Sequence, residues 1–217
     1  MEAQTKLNKP NSIELKQDKN AFSEDMERSA PLFREGKKVA LFGGSAIDEN
    51  SGYFKSAKLL AKTLAKQNIT VITGGGPGIM KAGNTGAVEN GETFALRVEA
   101  IHDENDVDVS YIPDGHLLMY KTLAVRLLTL IGSSDAIVFF PGGFGTLEEM
   151  FSLLVRIRVG MMKKIPVYFY GSEFWNGLKT WISDTVFGVK AINENDIAIF
   201  RIEDDINKIA KEIIEQI

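Results

Sequence analysis

At 217 residues and a formal charge of −4 spread along the chain, the sequence is long enough for one α/β domain with a full core and too short for two; it carries no basic stripe to grip DNA or RNA, so no nucleic-acid partner is expected. With no Cys there is no disulfide framework and no thiolate nucleophile or metal ligand, and the two histidines, His102 and His116, lack a paired ligand spacing, so neither a metal centre nor a cofactor is expected. No apolar run reaches membrane-span length and the amino terminus is polar rather than signal-like, which points to a soluble, cytoplasmic protein with no membrane partner.

Taken in order, residues 1–18 offer too little apolar surface to offset the entropy of ordering and read as a mobile arm. From Ala21 to Phe33, Phe22, Met26, Ala30 and Phe33 recur about every fourth position, which predicts a short helix capped by Ser23 and docked on the domain surface or on a neighbouring subunit. Residues 1–36 thus form an N-terminal arm, and one Rossmann-like domain is expected over 37–217.

The domain opens with a short apolar strand, Val39 to Phe42, that runs into Gly43, Gly44 and Ser45. A helix follows from about Tyr53 to Gln67, then a strand from Ile69 to Thr73, the turn Gly74-Gly75-Gly76-Pro77-Gly78, and a helix from Ile79 to Glu89. Thr93 to Val98 is the third strand, with Glu99 at its end. The acidic segment 100–112 has no helical period and is expected to wrap past the mouth of a site. Leu117 to Ile131 is apolar on all sides and reads as a buried or subunit-contacting helix, with Arg126 near its middle requiring an anionic partner.

The stretch from Ser134 to Leu154 organises the rest. Asp135 to Phe140 reads as a buried strand, Pro141 stops it, Gly142, Gly143, Phe144, Gly145 and Thr146 form a turn, and Leu147, Met150, Phe151 and Leu154 then recur at helical spacing. A strand, a glycine turn and a helix start in succession aim unpaired N–H groups and a helix dipole at one spot, which suits a phosphate, with Glu149 one turn further on. Beyond it come a strand from Ile165 to Tyr170, helical sequence from Phe174 to Phe187, a strand from Ile197 to Ile202 and a helix from Asp204 to Ile217. Alternating strands and helices joined by right-handed crossovers give an α/β, doubly wound parallel sheet in three layers. Three glycine loops on one edge then favour a nucleotide-binding crevice over a structural role.

PGGFGTLEE, with GGGPGIM upstream and Arg126 in the helix before the motif strand, resembles the LOG ("lonely guy") family, also described as possible lysine decarboxylases, from about Lys37 to the C-terminus. The resemblance implies a Rossmann-like fold, a homodimer or an assembly of dimers, and hydrolysis of the N-glycosidic bond of nucleoside 5′-monophosphates, such as AMP or cytokinin riboside monophosphates, to free base and ribose 5-phosphate. Carried over by position, it makes Arg126 and Glu149 the catalytic pair and gives Gly142, Gly143, Gly145 and Thr146 to the 5′-phosphate. Gly44, Ser45, Gly75 and Gly76 would line the same crevice, and Glu99 corresponds to an acidic residue after the third strand. Leu127, Ser152, Val155 and Arg158 depart from the Lys, acid, Thr and Gln common in the family, which bears on base preference and interface contacts more than on the phosphoribose site.

The chemistry agrees with the residues: cleavage builds positive charge on the ribose that a carboxylate at Glu149 would offset, and negative charge on the departing base that a guanidinium at Arg126 would offset. A pyridoxal phosphate decarboxylase is disfavoured because Lys81 and Lys121 lack the context of a Schiff-base lysine. A dinucleotide oxidoreductase is disfavoured because GGSAID does not complete GxGxxG. The rival that remains is a non-catalytic carrier or sensor binding a nucleotide or a pterin cofactor.

Overall fold

The structure, a computed structural model, describes residues 20–99 and 108–217. The expected mobile arm before Asn20, and residues 100–107 of the segment expected to wrap past the site, lie outside the described residues.

Seven strands form one parallel sheet in the order β4-β3-β2-β1-β5-β6-β7. They are β1 (Lys38–Phe42), β2 (Thr70–Thr73), β3 (Thr93–Val98), β4 (Leu117–Tyr120), β5 (Ala136–Phe139), β6 (Val167–Tyr170) and β7 (Arg201–Glu203). The chain winds outward from β1 through β2 and β3 to β4, then returns to the other side of β1 and winds outward again. This is the doubly wound, three-layer α/β arrangement, with its switch point between β1 and β5. The central strands are buried on both sides, as their unbroken apolar runs VALF, TVIT and AIVF require.

Two cores flank the sheet. On one side α2 (Gly52–Ala65), α3 (Ile79–Ala87) and α8 (Ile206–Gln216) cover Val39, Leu41, Val71 and Val138. On the other, α4 (Leu123–Gly132), α5 (Phe144–Arg158) and α6 (Ser172–Thr180) cover Ala40, Phe42, Ile72, Ile137 and Phe139. These strand residues alternate between the two cores because successive side chains point to opposite faces. No helix among the described residues is long and apolar enough to cross a membrane.

The structure corrects four sequence-based expectations. Leu117 to Ile131 is not one helix: Leu117–Tyr120 pairs with β3 in the register Ala95↔Leu117 to Val98↔Tyr120, and α4 starts only after Thr122, whose side chain accepts from Val125 N. A short apolar run does not reveal its period, so strand and buried helix look alike there. The last strand is Arg201–Glu203 rather than 197–202, because Asn193 forms a capping box with Asp196 and starts α7 (Glu194–Ile197). The helix expected over 174–187 is α6 continued by a wider π turn, Trp181–Val186. The N-terminal helix α1 (Asn20–Arg28) begins before Ser23, so Ser23 is not its cap. A short 3₁₀ turn, Ala30–Phe33, leads from α1 to the sheet.

Candidate active site

The carboxyl ends of β1, β2 and β5 deliver three glycine loops to one place. Gly44 N donates to Pro141 O at 2.9 Å and Ile79 N donates to Gly44 O at 3.2 Å, so the β1 loop is bonded to both of the others. The loops after β2 and β5 flank the β1 loop and meet through it. A Cβ on Gly142 would lie 2.2 Å from Thr146 Oγ1 and 2.9 Å from Gly44 N, so the tight turn into α5 admits no side chain there. Gly143 caps α5 by main chain alone, accepting from Leu147 N at 3.0 Å. The amides of Phe144, Gly145 and Thr146 have no acceptor one turn back, and their partial positive charge faces whatever binds.

Above this junction lies a cavity of about 350 Å³. Its polar wall holds Ser45, Thr146, Glu148, Glu149 and Arg126, with the main chain of Gly43, Gly44, Gly74, Gly143 and Gly145. Its apolar wall is Met80, Val98, Leu123 and Leu127, and Phe144 stands at the rim, 92% exposed.

Arg126 and Glu149 meet in this cavity. Arg126 Nη1 lies 3.4 Å from Glu149 Oε1, with side chains only 9% and 15% exposed. Arg126 Nε donates to Leu96 O at 2.6 Å, which ties the guanidinium to β3. A Cβ on Gly74 would lie 2.0 Å from Arg126 Nη2, so the first glycine of the GGG turn leaves the space that the guanidinium fills. Burial pushes the Glu149 carboxyl up to about 7 against the pull of Arg126, and neighbouring Glu148 adds to the rise. A carboxyl that titrates near neutrality, backed by a fixed cation, can accept a proton and balance a developing cation.

Of the residues singled out in the sequence, Gly44, Ser45, Arg126, Gly143, Gly145, Thr146 and Glu149 line the cavity. Gly142, Gly75, Gly76 and Glu99 are not among its lining residues. Gly142 packs beneath Thr146. Gly75, with φ +72°, donates to Thr73 Oγ1 at 3.0 Å and is backed by Arg97, while Gly76 N lies 3.4 Å from Met80 Sδ. The Glu99 carboxylate lies 3.5 Å from Arg28 Nη1 and belongs to the contact with α1. Gly43, Gly74 and Glu148 were missed although each adjoins a residue that was chosen. Met80, Val98 and Leu123 carry no signal that separates them from core.

The family model described as possible lysine decarboxylase matches residues 80–213, more than half of the chain. The chain belongs to this family, the LOG family. Among curated members, the cytokinin riboside 5′-monophosphate phosphoribohydrolase LOG2 of Arabidopsis thaliana is 25% identical over 174 residues, covering 74% of this chain and 74% of its own. LOG1 of the same plant, a protein of the same name, is 28% identical over 158 residues, covering 69% of this chain and 70% of its own. Solved structures share the fold. The molybdenum cofactor carrier protein of Chlamydomonas reinhardtii matches with a TM-score of 0.57 at 17% identity, over 84% of this chain and 98% of that one. The single-stranded-DNA-binding DNA processing protein A of Helicobacter pylori matches at 0.58 and 14%, over 85% and 83%.

The decarboxylase in the LOG family's description would need a lysine to hold pyridoxal phosphate, and none lines this cavity. Lys81 pairs with Glu49 at 2.6 Å and Lys121 with Glu24. The residues present do not fit that cofactor. Among the described residues no cluster of His, Cys, Asp or Glu could hold a metal ion.

Proposed function

We propose that this LOG-family chain is a phosphoribohydrolase that hydrolyses the N-glycosidic bond of a nucleoside 5′-monophosphate, AMP or a cytokinin riboside monophosphate, releasing the base and ribose 5-phosphate. The observation that carries this reading is the buried Arg126–Glu149 pair 3.4 Å apart in a cavity floored by the amino terminus of α5. The 5′-phosphate binds at Gly143, Phe144, Gly145 and Thr146, where unpaired amides and the helix dipole favour an anion. Glu149 then adjoins the ribose. The C1′–N bond breaks with its electron pair going to the base, a water oxygen bonds to C1′, and the water's proton passes to Glu149 and on to the departing base. Arg126 orients Glu149 and offsets the negative charge of the base as it leaves. Met80, Val98, Leu123 and Leu127 provide an apolar wall for the base.

The curated relatives named as phosphoribohydrolases support this reading. The carrier proteins of similar fold support the rival, a nucleotide or pterin carrier, by architecture alone. The assembly we propose is a homodimer or a set of dimers, joined through the face of α4 and α5 that bears exposed Leu128, Phe151 and Val155. The deciding experiment is chromatography of purified protein incubated with AMP, GMP, CMP, UMP and isopentenyl-AMP, beside Glu149→Gln. Base release that disappears in the variant upholds the enzyme; saturable binding without release overturns it in favour of the carrier.

A further inference from the structure

Helix α1 lies outside the family-matched residues 80–213, yet it carries a carboxylate that is 0% exposed, Asp25. Four donors meet that carboxylate. Lys121 N lies 3.0 Å from Oδ1, Thr122 N 2.8 Å and Thr122 Oγ1 2.9 Å from Oδ2, and Arg28 Nη1 3.3 Å from Oδ1. The first three belong to the residues that open α4, whose own first turn contains no acid. Asp25 therefore supplies, from another helix, the negative charge that an amino-terminal dipole takes up.

The connection runs on to Arg126. Thr122 Oγ1, while donating to Asp25, accepts from Val125 N, and Thr122 O accepts from Arg126 N at 3.3 Å. Arg126 sits one turn from this cap. Its guanidinium has little freedom, with Leu96 O 2.6 Å from Nε and a hypothetical Cβ of Gly74 only 2.0 Å from Nη2. A rotation or slide of the first turn of α4 moves this group directly. The same helix α1 holds the strand end beside it, since Arg28 donates to Met119 O at 2.6 Å and pairs with Glu99 at the end of β3.

We propose that Asp25 is a positioning residue for Arg126: its buried carboxylate fixes the first turn of α4 and so sets the guanidinium against Glu149. This inference rests on the catalytic reading of the Arg126–Glu149 pair. It makes α1 a working part of the active-site scaffold and assigns the stretch before the sheet a task beyond covering apolar surface.

The test follows the Glu149 carboxyl by carbon-13 NMR of the full chain, its signal assigned with Glu149→Gln. It compares the parent with Asp25→Asn, with Thr122→Val and with Ser29→Ala. Ser29 is the control, because it is equally buried just after α1 but its hydroxyl bonds Asp25 O, Tyr120 and Thr129 rather than the Asp25 carboxylate or the amides that open α4. The charged groups facing Glu149 are Arg126, which lowers its midpoint, and Glu148, which raises it. Displacing Arg126 therefore moves the midpoint upward, by about one pH unit, in Asp25→Asn and Thr122→Val and not in Ser29→Ala. Base release, measured where all variants are folded, should fall about tenfold in kcat in the first two with KM little changed. Should Asp25→Asn fail to fold, Thr122→Val carries the comparison. A parent-like midpoint and kcat in the folded variants, or an equal change in Ser29→Ala, overturns the inference. A parent that releases no base overturns the proposed reaction instead, and the NMR midpoints still decide what Asp25 does.

Discussion

Glu149 and Arg126 are each costly to bury; each is made tolerable by the other, and Arg126 also by the main-chain carbonyl of Leu96. The Glu149 carboxyl titrates near 7 because burial outweighs the attraction of Arg126. If its ionised form accepts the proton, kcat/KM rises with pH along a limb with its midpoint near 7, above the substrate phosphate's second ionisation at about 6. Glu149→Gln should lose roughly a thousandfold in base release, with the limb missing from what remains. The same shift bears on stability. The folded midpoint near 7 lies above the ordinary glutamate value of 4.5, so the contribution of protonated Glu149 is fully present below 4.5 and is lost as pH rises through 7. Between pH 4 and pH 8, Glu149→Gln should therefore gain on the parent by at most about 3 kcal/mol in denaturant unfolding. Among the glycines, Gly74→Ala should abolish activity in a folded protein by displacing Arg126, whereas Gly145→Ala, which meets nothing within 4 Å, should keep the arginine in place. Circular dichroism and the base-release assay on both variants check this contrast.

At the scale of elements, the amino terminus of α5 and the cap of α4 share the work. α5 opens with Gly143 as a cap that has no side-chain bond, leaving the first-turn amides for a ligand. Substrates without the 5′-phosphate should therefore lose at least about a hundredfold in kcat/KM, and ribose 5-phosphate should inhibit competitively. Adenosine turned over as well as AMP would remove α5 from substrate binding. The opposite solution appears at α4, where the Thr122 side chain accepts from Val125 N and the Asp25 carboxylate accepts from Thr122 N. One helix start is kept open and the other closed, and Arg126 on the closed one faces Glu149 on the open one.

Across the whole molecule, the two outer layers differ. Of the exposed large apolar side chains among the described residues, Leu59 alone belongs to α2, α3 or α8. Phe22, Met26, Leu128, Phe144, Phe151, Val155, Phe174 and Trp181 all lie on α1, α4, α5, α6 or its π extension. An apolar layer of this kind asks for cover, and a second copy supplies an identical one. Light scattering should return a multiple of the 24.0 kDa protomer for the parent and the protomer mass for Val155→Asp, whose side chain is 53% exposed and outside the core. A monomeric parent with full activity would overturn the assembly.

The parallel sheet, its alternation with helices and the glycine loops at its carboxyl edge were legible in the sequence because each rests on local pattern: apolar runs bounded by Gly and Pro, then helical spacing. The same holds for Arg126, Glu149 and the turn at Gly142 to Thr146, where unusual residue types stand in a compact motif. Other features needed the third dimension. Whether Leu117–Tyr120 is strand or helix depends on its pairing with β3, and Met80, Val98 and Leu123 become cavity wall only through the order of the strands. Asp25 is the sharpest case, being one acid among several in a polar segment. Its burial under the start of α4, 97 residues away from Thr122 along the chain, follows from the docking of a whole helix, and no local pattern encodes which distant amides a carboxylate will meet.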